Sequence, residues 1–349
     1  RQRRMISVVI PCLNESKYID ATLVSLQRQV DLDEPFEVIV VDGGSQDGTR
    51  DILDRWSRED DRFRWIDNPK RTTPVAMNLG IESAFGEIII ILGAHAEVSN
   101  DWILRNVQAL KAHPESGCVG GVVKQVHGSE QSKQIGAALS TPFGVGDARF
   151  RTGGTAGHVD TVAFGAYRKA ALDEIGWFDE MLDRNQDDEL NYRMLKSGWR
   201  IWFDPRIQST YHVRSSFAQL FKQYRQYGYW KVKVNQKHKA VTTWRQTIPA
   251  LFLGGMTVFA IFWLFDLLGV WSEAWKGMGE SLLLSGAVLW LVVGTGSAIS
   301  ASSQARDITG ILRAYFVVHC SYGLGYWEGI FRFLILRRAP GRKARKLTR

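Results

Sequence analysis

Three cysteines in 349 residues argue against a disulfide framework. Cys12, Cys118 and Cys320 are odd in number and lie in apolar runs. They suit buried thiols in a reducing compartment. A secretory signal is not expected either. Arg1, Arg3 and Arg4 precede a strand-like run too short and too soon interrupted to be its apolar core. The chain opens on Arg1 rather than Met, which leaves room for an upstream piece. Acid is scarce in the C-terminal part. None appears between Asp204 and Asp266, while eight Lys or Arg fall from Arg214 to Arg245. The tail Arg337–Arg349 has seven more and no acid, so the net charge of +8 is unevenly placed. Basic charge suits nucleic acid or anionic lipid. Both clusters flank long apolar stretches, so membrane lipid is expected and nucleic acid is not.

What is present is a β-α alternation over residues 5–213, enough chain for one large α/β domain. Strands are predicted at 6–12, 36–43, 87–94, 118–124 and 160–167. Their continuous Val/Ile runs fit strands buried on both faces of a parallel sheet. A helix is predicted over 17–29, with Ile19, Leu23 and Leu26 on one face and Ser16 as N-cap. Asp47 is read as the cap of the next helix, and Pro74 as opening the one after. This order predicts an α/β fold, a Rossmann-like mixed sheet with helices on both faces.

The remainder reads differently. Residues 216–239 are basic and aromatic, the composition of a helix on an anionic membrane face. Residues 247–268 and 281–300 each approach the ~20 apolar residues that span a bilayer. Lys and Arg flank the pair, which puts residues 1–246 in the cytoplasm. The segment 311–336 is apolar but holds Arg313, His319, Glu328 and Arg332. It is expected to lie in the interface or insert partly, with a full third span as the alternative. The expected domains are 1–214 (catalytic), 215–246 (interfacial), 247–336 (membrane region) and 337–349 (basic tail).

In a Rossmann-like sheet, ligands bind beyond the carboxyl ends of the strands. Pro11, Leu13, Asn14 and Glu15 follow the first strand, and Asp42 ends the second. An acid there accepts hydrogen bonds from a base edge or a ribose hydroxyl. Gly43, Gly44 and Gly48 allow close backbone approach. The bland reading of each stretch is an ordinary strand, turn and helix.

Together "VVIPCLNE" and "VVDGGSQDGT" resemble the nucleotide-sugar-dependent inverting glycosyltransferases of family 2, which have a GT-A fold. The resemblance runs from about Ile6 to Arg214. It implies that Pro11, Leu13, Asn14, Glu15, Asp42 and Gly44 hold the nucleotide. Residues 68–94 resemble the donor-side segment, where Arg71 would meet the diphosphate, Asn78 would brace the pocket, and Gly93 and Ala94 would line it. "VDTVAFGAYRK", "RNQDDELNYRM", "QYGYWKV" and "HCSYGLGYWEG" are similar to the membrane-bound exopolysaccharide branch, which includes succinoglycan-type glucosyltransferases. The branch implies a multi-pass protein of a bacterial inner membrane with a cytoplasmic catalytic domain. Its donor would be a nucleotide-sugar, UDP-hexose above all, and its acceptor a lipid-linked saccharide, with possible polysaccharide-assembly partners.

Sugar transfer to a hydroxyl needs a carboxylate to take the proton. By the resemblance Asp187 is the base, beside Asp188, although Gln186 replaces the usual preceding acid. The row Asp187, Asp188 and Glu189 disfavours full ionisation. Glu189 and Arg193 are spaced to pair along a helix. Gly165, Gln223, Gln226 and Tyr227 fall on acceptor-side positions. Gln226 stands for an Arg and Tyr227 for a Trp of the processive synthases' motif, which argues against processive synthesis. "GGTAGHVD", 153–160, reads as a mobile loop.

The family's Asp-x-Asp metal grip is absent: Gly93 and His95 occupy its positions. His95, Glu97 two residues on if the chain stays extended, and His212 are the candidate ligands for Mn²⁺ or Mg²⁺. Without a metal, Arg71 and Arg214 would stabilise the leaving diphosphate. Two alternatives stay open: a polyprenyl-phosphate sugar synthase, whose phosphate acceptor needs no base, and a non-catalytic nucleotide-binding membrane scaffold.

Overall fold

The computed structural model describes residues 5–212, 216–270, 275–302 and 304–341. Arg214 and the tail beyond residue 341 lie outside them. Internal contacts divide the chain into two units: residues 1–126 with 148–212, and residues 127–147 with 213–349. The expected domain 1–214 is thus interrupted, because residues 127–147 pack with the second unit.

The first unit alternates β1 (Ile6–Cys12), α1 (Ile19–Gln27), β2 (Phe36–Asp42), α2 (Thr49–Glu59), β3 (Phe63–Asp67), α3 (Thr73–Ser83) and β4 (Ile88–Ile91). β5 (Ala96–Val98), α4 (Trp102–Ala112) and β6 (Ser116–Val126) follow. The excursion into the second unit carries α5 (Glu130–Leu139) and α6 (Pro142–Val145). The chain then adds α7 (Arg149–Thr152), β7 (Gly157–His158), β8 (Ala163–Arg168), α8 (Lys169–Ile175), α9 (Gln186–Lys196) and β9 (Arg200–His212).

The sheet order is β3-β2-β1-β4-β8-β6-β9-β5, with β7 on β9. β3, β2, β1 and β4 are mutually parallel, and β8 runs against both β4 and β6. The Val/Ile runs are explained by two cores. Val8, Ile10, Val38 and Val40 pack with Leu23, Trp56 and Trp102 on one face. Val9, Ile39 and Val41 pack with Met77, Leu172 and Leu190 on the other. A strand covered on both sides has no polar face. At some 25 cal/mol per Å² of apolar surface removed from water, this burial is the main drive for the unit.

Two expected caps fall elsewhere. Ser16 does not cap α1, whose N-cap is Tyr18 without a side-chain bond. Ser16 instead bonds Asp47 through its amide and hydroxyl, at 3.1 and 2.8 Å. The N-cap of α2 is Gly48 at φ 91°, one residue beyond Asp47. Pro74 does open the first turn of α3.

The second unit adds α10 (Phe217–His238), α11 (Ile248–Leu267), α12 (Met278–Ala301) and α13 (Ala305–Gly329), followed by a π-helical stretch, Ile330–Ile335. Residues 244–267 and 278–301 are long and apolar enough to cross a membrane. α13 is not of that kind. It buries Ile311, Tyr315, Tyr322 and Tyr326, and Thr141 before α6 meets Tyr315 Oη at 2.8 Å. Glycine lets α10 and α13 approach closely: a Cβ on Gly325 would lie 1.9 Å from the Arg225 carbonyl oxygen.

Candidate active site

The register Cys12↔Asp42 brings the loops after β1 and β2 side by side. They are zipped together. Asn14, at φ 50°, donates its amide to Ser45 Oγ at 2.6 Å and accepts from the Gln46 amide at 2.8 Å. The Glu15 amide reaches Thr49 Oγ1 at 2.8 Å. Burial pushes the Asp47 carboxyl up, but bonds from Thr49 and Ser16 outweigh it and hold it at about 2.

Asp42 is completely buried. Its Oδ2 accepts from the Gly44 and Ser45 amides, both at 3.0 Å, and from Arg50 Nε at 2.7 Å; Oδ1 accepts from Ser45 Oγ. Burial opposes the charge, yet the Ser45, Arg50 and Gly44 bonds together hold this carboxyl below its usual range. Most of its acceptor capacity therefore goes to shaping its own loop. Arg50 also grips Asp67 and lies 5.1 Å from the Trp65 ring centroid. The sequence offered no signal for Arg50, which meets Asp42 only across the turn.

Arg71 takes a left-handed backbone at φ 56° and lays its guanidinium over Gly44, where a Cβ would meet Nη2 at 3.1 Å. It is exposed and has no carboxylate partner among the described residues. Asn78 spends its amide on the main chain of Phe178, donating to the carbonyl at 2.9 Å and accepting from the amide at 3.0 Å. That ties α3 to the loop leading into α9.

Beyond β4 the chain does not stay extended. It turns at Ala94 and His95 and re-enters the sheet as β5, against β9. His95 and Glu97 consequently take different partners. His95 Nδ1 is 3.5 Å from Glu15 Oε1, and Glu97 Oε1 is 3.9 Å from His212 Nε2. The Tyr18 ring lies 5.1 Å from that of His212 and 6.3 Å from that of His95. The described residues hold no group of three or more His, Cys, Asp or Glu arranged for a metal ion. The expected set His95, Glu97 and His212 thus does not converge, and these donors do not by themselves fit a divalent cation.

Gly93 faces Phe164 at the start of β8, since a Cβ there would sit 3.1 Å from the ring. Gly165, next on β8, is buried against Cys118 Sγ and the Tyr167 ring. The N-terminal end of β8 therefore lies at the same sheet edge as the C-terminal end of β4. α9 is tied to that edge by Asn191 Nδ2 on Thr161 Oγ1, at 2.9 Å. Asp187 stands one turn earlier on α9 and is exposed, with Asp188 half-buried beside it. Burial, the Cys118 sulfur and the Asp187 charge push the Tyr167 hydroxyl far above its ordinary range. Glu189 separates from its two neighbours. It is fully buried and paired with Arg193 at 2.9 Å, as the spacing predicts. Arg193 also holds the carbonyls of Ile175, Gly176 and Trp177.

In the 153–160 stretch, Gly153 and Gly154 have positive φ, but Gly157 and His158 form β7 and are held on β9. Gln223, Gln226 and Tyr227 lie on α10 in the second unit, the two glutamines buried, and Gln223 donates to Tyr227 Oη at 2.9 Å.

The open mixed sheet, with the loops after β1 and β2 and the N-terminal turn of α9 at one edge, has the GT-A fold. A solved mannosyltransferase from Pyrobaculum calidifontis, in complex with GDP-Man and Mn²⁺, has this fold. It matches with a TM-score of 0.60 at 20% identity, covering 92% of this chain and 87% of that one. Residues 7–176 match Glycosyl transferase family 2. The chain is 31% identical over 337 residues to the succinoglycan biosynthesis protein ExoA of Rhizobium meliloti, covering 93% of this chain and 95% of that protein. It is 30% identical over 230 residues to a dolichyl N-acetyl-α-D-glucosaminyl phosphate 3-β-D-2,3-diacetamido-2,3-dideoxy-β-D-glucuronosyltransferase of Methanococcus voltae, covering 64% and 71%. The chain belongs to glycosyltransferase family 2 and is a transferase of polysaccharide or glycan biosynthesis.

Proposed function

We propose that this protein is an inverting hexosyltransferase. It moves a sugar, glucose or a related hexose, from a UDP-type donor to a hydroxyl of a lipid-linked saccharide. The work is done at the cytoplasmic face of a bacterial inner membrane. The observation that carries this is the exposed Asp187 on the first turn of α9, tied by Asn191–Thr161 to the sheet edge beside β4.

The chemistry follows from the residues. The acceptor hydroxyl oxygen forms a bond to the anomeric carbon as the bond from that carbon to the diphosphate oxygen breaks. The hydroxyl proton passes to Asp187. The nucleoside diphosphate leaves with the electron pair, and Arg71, free of any described carboxylate, balances the charge. Asp42 acts at one remove: it holds residues 43–45 in the shape that presents Gly44 and Arg71. Asn78 positions the approach to α9. The His–carboxylate pairs around Tyr18 do not converge on one point, so each role above is given to a side chain of this protein. The membrane reading rests on the two apolar helices and on the likeness to the succinoglycan protein. The interfacial character of α10 and of 311–336 belongs to the same proposal.

The test is transfer from a panel of radiolabelled nucleotide sugars into extractable lipid, in membranes, with Mn²⁺ or with EDTA. Transfer that survives EDTA is the expected result. Loss with EDTA would return His95 to a metal role. No transfer from any donor, with acceptor lipid present, would favour the scaffold. Transfer that persists in Asp187→Asn would favour a phosphate acceptor.

A further inference from the structure

At the end of α10 the second unit forms an open cavity of ≈ 410 Å³ that the transfer chemistry above does not use. Lys233 and Gln236 line one side; Phe333, Arg337 and Arg338 line the other, with Leu334 and Ala339. The cavity is within the range of small-ligand sites.

Its wall is built by a chain reversal. After α13 the backbone passes through the π-helical stretch, a departure from regular helix that recurs at functional sites. Arg337 then adopts φ 52°, a conformation costly for a residue with a side chain. The returning segment is fastened at three points. The Arg338 amide bonds the Arg332 carbonyl at 2.9 Å, Arg332 Nε bonds the Ala339 carbonyl at 2.6 Å, and the Gly341 amide reaches Tyr229 Oη at 3.2 Å. Strain held by surrounding bonds is an observation from which function is properly inferred.

The charge is one-sided. Lys233 Nζ lies 5.5 Å from the Phe333 ring centroid and gives one N–H to Gln236 Oε1 at 3.0 Å. An ammonium has three donors. Gln236 is fixed in turn by donating to the Phe333 carbonyl at 3.0 Å. No acid lines the cavity, and Lys233, Arg337 and Arg338 have no carboxylate partner among the described residues. The nearby Glu328 is taken by Arg225 at 2.9 Å. Three cations around one cavity call for an anion, and Arg is shaped for phosphate oxygens. Phe331, Ile335 and Leu336 are exposed on the same stretch and offer an apolar run beside the charges.

We infer that this cavity binds the phosphate-ester headgroup of an amphiphile. Lys233, Arg337 and Arg338 take the phosphate, and Phe331, Ile335 and Leu336 take the start of the hydrocarbon. A lipid diphosphate acceptor and an anionic phospholipid share this chemistry. In the first case the inference rests on the acceptor proposed above; the cavity itself does not.

The experiment uses the full chain in uncharged detergent and reads equilibrium binding of tritiated farnesyl diphosphate without any donor sugar. Dioleoyl phosphatidylglycerol and inorganic pyrophosphate serve as competitors. Saturable binding is expected. Lys233→Ala with Arg338→Ala should weaken it by about tenfold or more. Lys222→Ala, which removes an exposed charge of α10 outside the cavity, should change it by less than about twofold. Arg338→Glu, at an exposed position, is the second variant should the double one misfold, and should weaken binding at least as much. Displacement by pyrophosphate but not phosphatidylglycerol assigns the site to a lipid diphosphate. Displacement by phosphatidylglycerol assigns it to membrane lipid. Equal weakening by Lys222→Ala overturns the inference, as does absence of saturable binding by natively folded protein. Nucleotide binding, measured in parallel, is expected to be unchanged, so failure here is separable from failure of the transfer reading.

Discussion

Arg50 Nε sits 2.7 Å from Asp42 Oδ2, joining a carboxylate with no exposed surface to a guanidinium that keeps 38% of its own. The pair closes the loop between β2 and α2, and with it the floor on which Arg71 lies.

Asp42→Asn keeps the shape but removes the charge that Arg50, Ser45 and Gly44 address. The first unit should lose about 2–3 kcal/mol, because buried donors lose their ionic partner. The folded Asp42 carboxyl is held below its unfolded value, so its stabilisation is full above about pH 4 and is lost as pH falls through the folded value. Thermal melts in detergent should show a large gap between wild type and variant at pH 7. That gap should shrink at pH 3.

Arg71→Ala should lower kcat/KM for the donor by roughly 10- to 100-fold, by removing the cation over Gly44. Arg71→Lys should recover only part, since a point charge does not fork onto two phosphate oxygens. Steady-state kinetics on the donor would decide it; an unchanged kcat/KM would remove Arg71 from the site.

Asp187→Asn should reduce kcat by about 10²- to 10⁴-fold while nucleotide affinity holds within about twofold. Asn191→Ala should give a smaller kcat loss, because Asn191 only anchors α9 to Thr161. Comparing kcat with the nucleotide Kd in both variants separates the base from its anchor.

Gly325→Ala should destabilise the second unit by about 3 kcal/mol, because the added Cβ would overlap the Arg225 carbonyl. Gly255→Ala is the control on α11, where a Cβ meets nothing within 4 Å. Helical circular dichroism on heating should separate the two variants.

Period and composition were enough for the layered core. A strand such as β1, buried on both faces, announces itself in consecutive Val and Ile, and its predicted limits are those observed. Glu189–Arg193 was equally legible, because helical spacing alone brings the two together. Pro74 was legible because its ring suits a first turn.

What depends on distant chain was not legible. Ser16 looks like a cap from its neighbours, but thirty-odd residues away Asp47 competes for its hydroxyl and wins. His95 and Glu97 looked like one face of an extended chain. Pairing of β5 with β9 forces the turn at 94–95 that gives each its own partner. Residues 127–147 follow a strand of the first unit, yet their apolar side chains are buried with α13. The cavity around Lys233 needs a left-handed Arg337 that no local preference favours. Local pattern thus determined β1, β2, β4, β6 and β8, the first three helices and the apolar spans, while β3, β5, β7 and β9 appear only in the folded sheet. Tertiary structure decided which polar groups meet, because a hydrogen bond or ion pair goes to whichever partner the fold brings within about 3 Å.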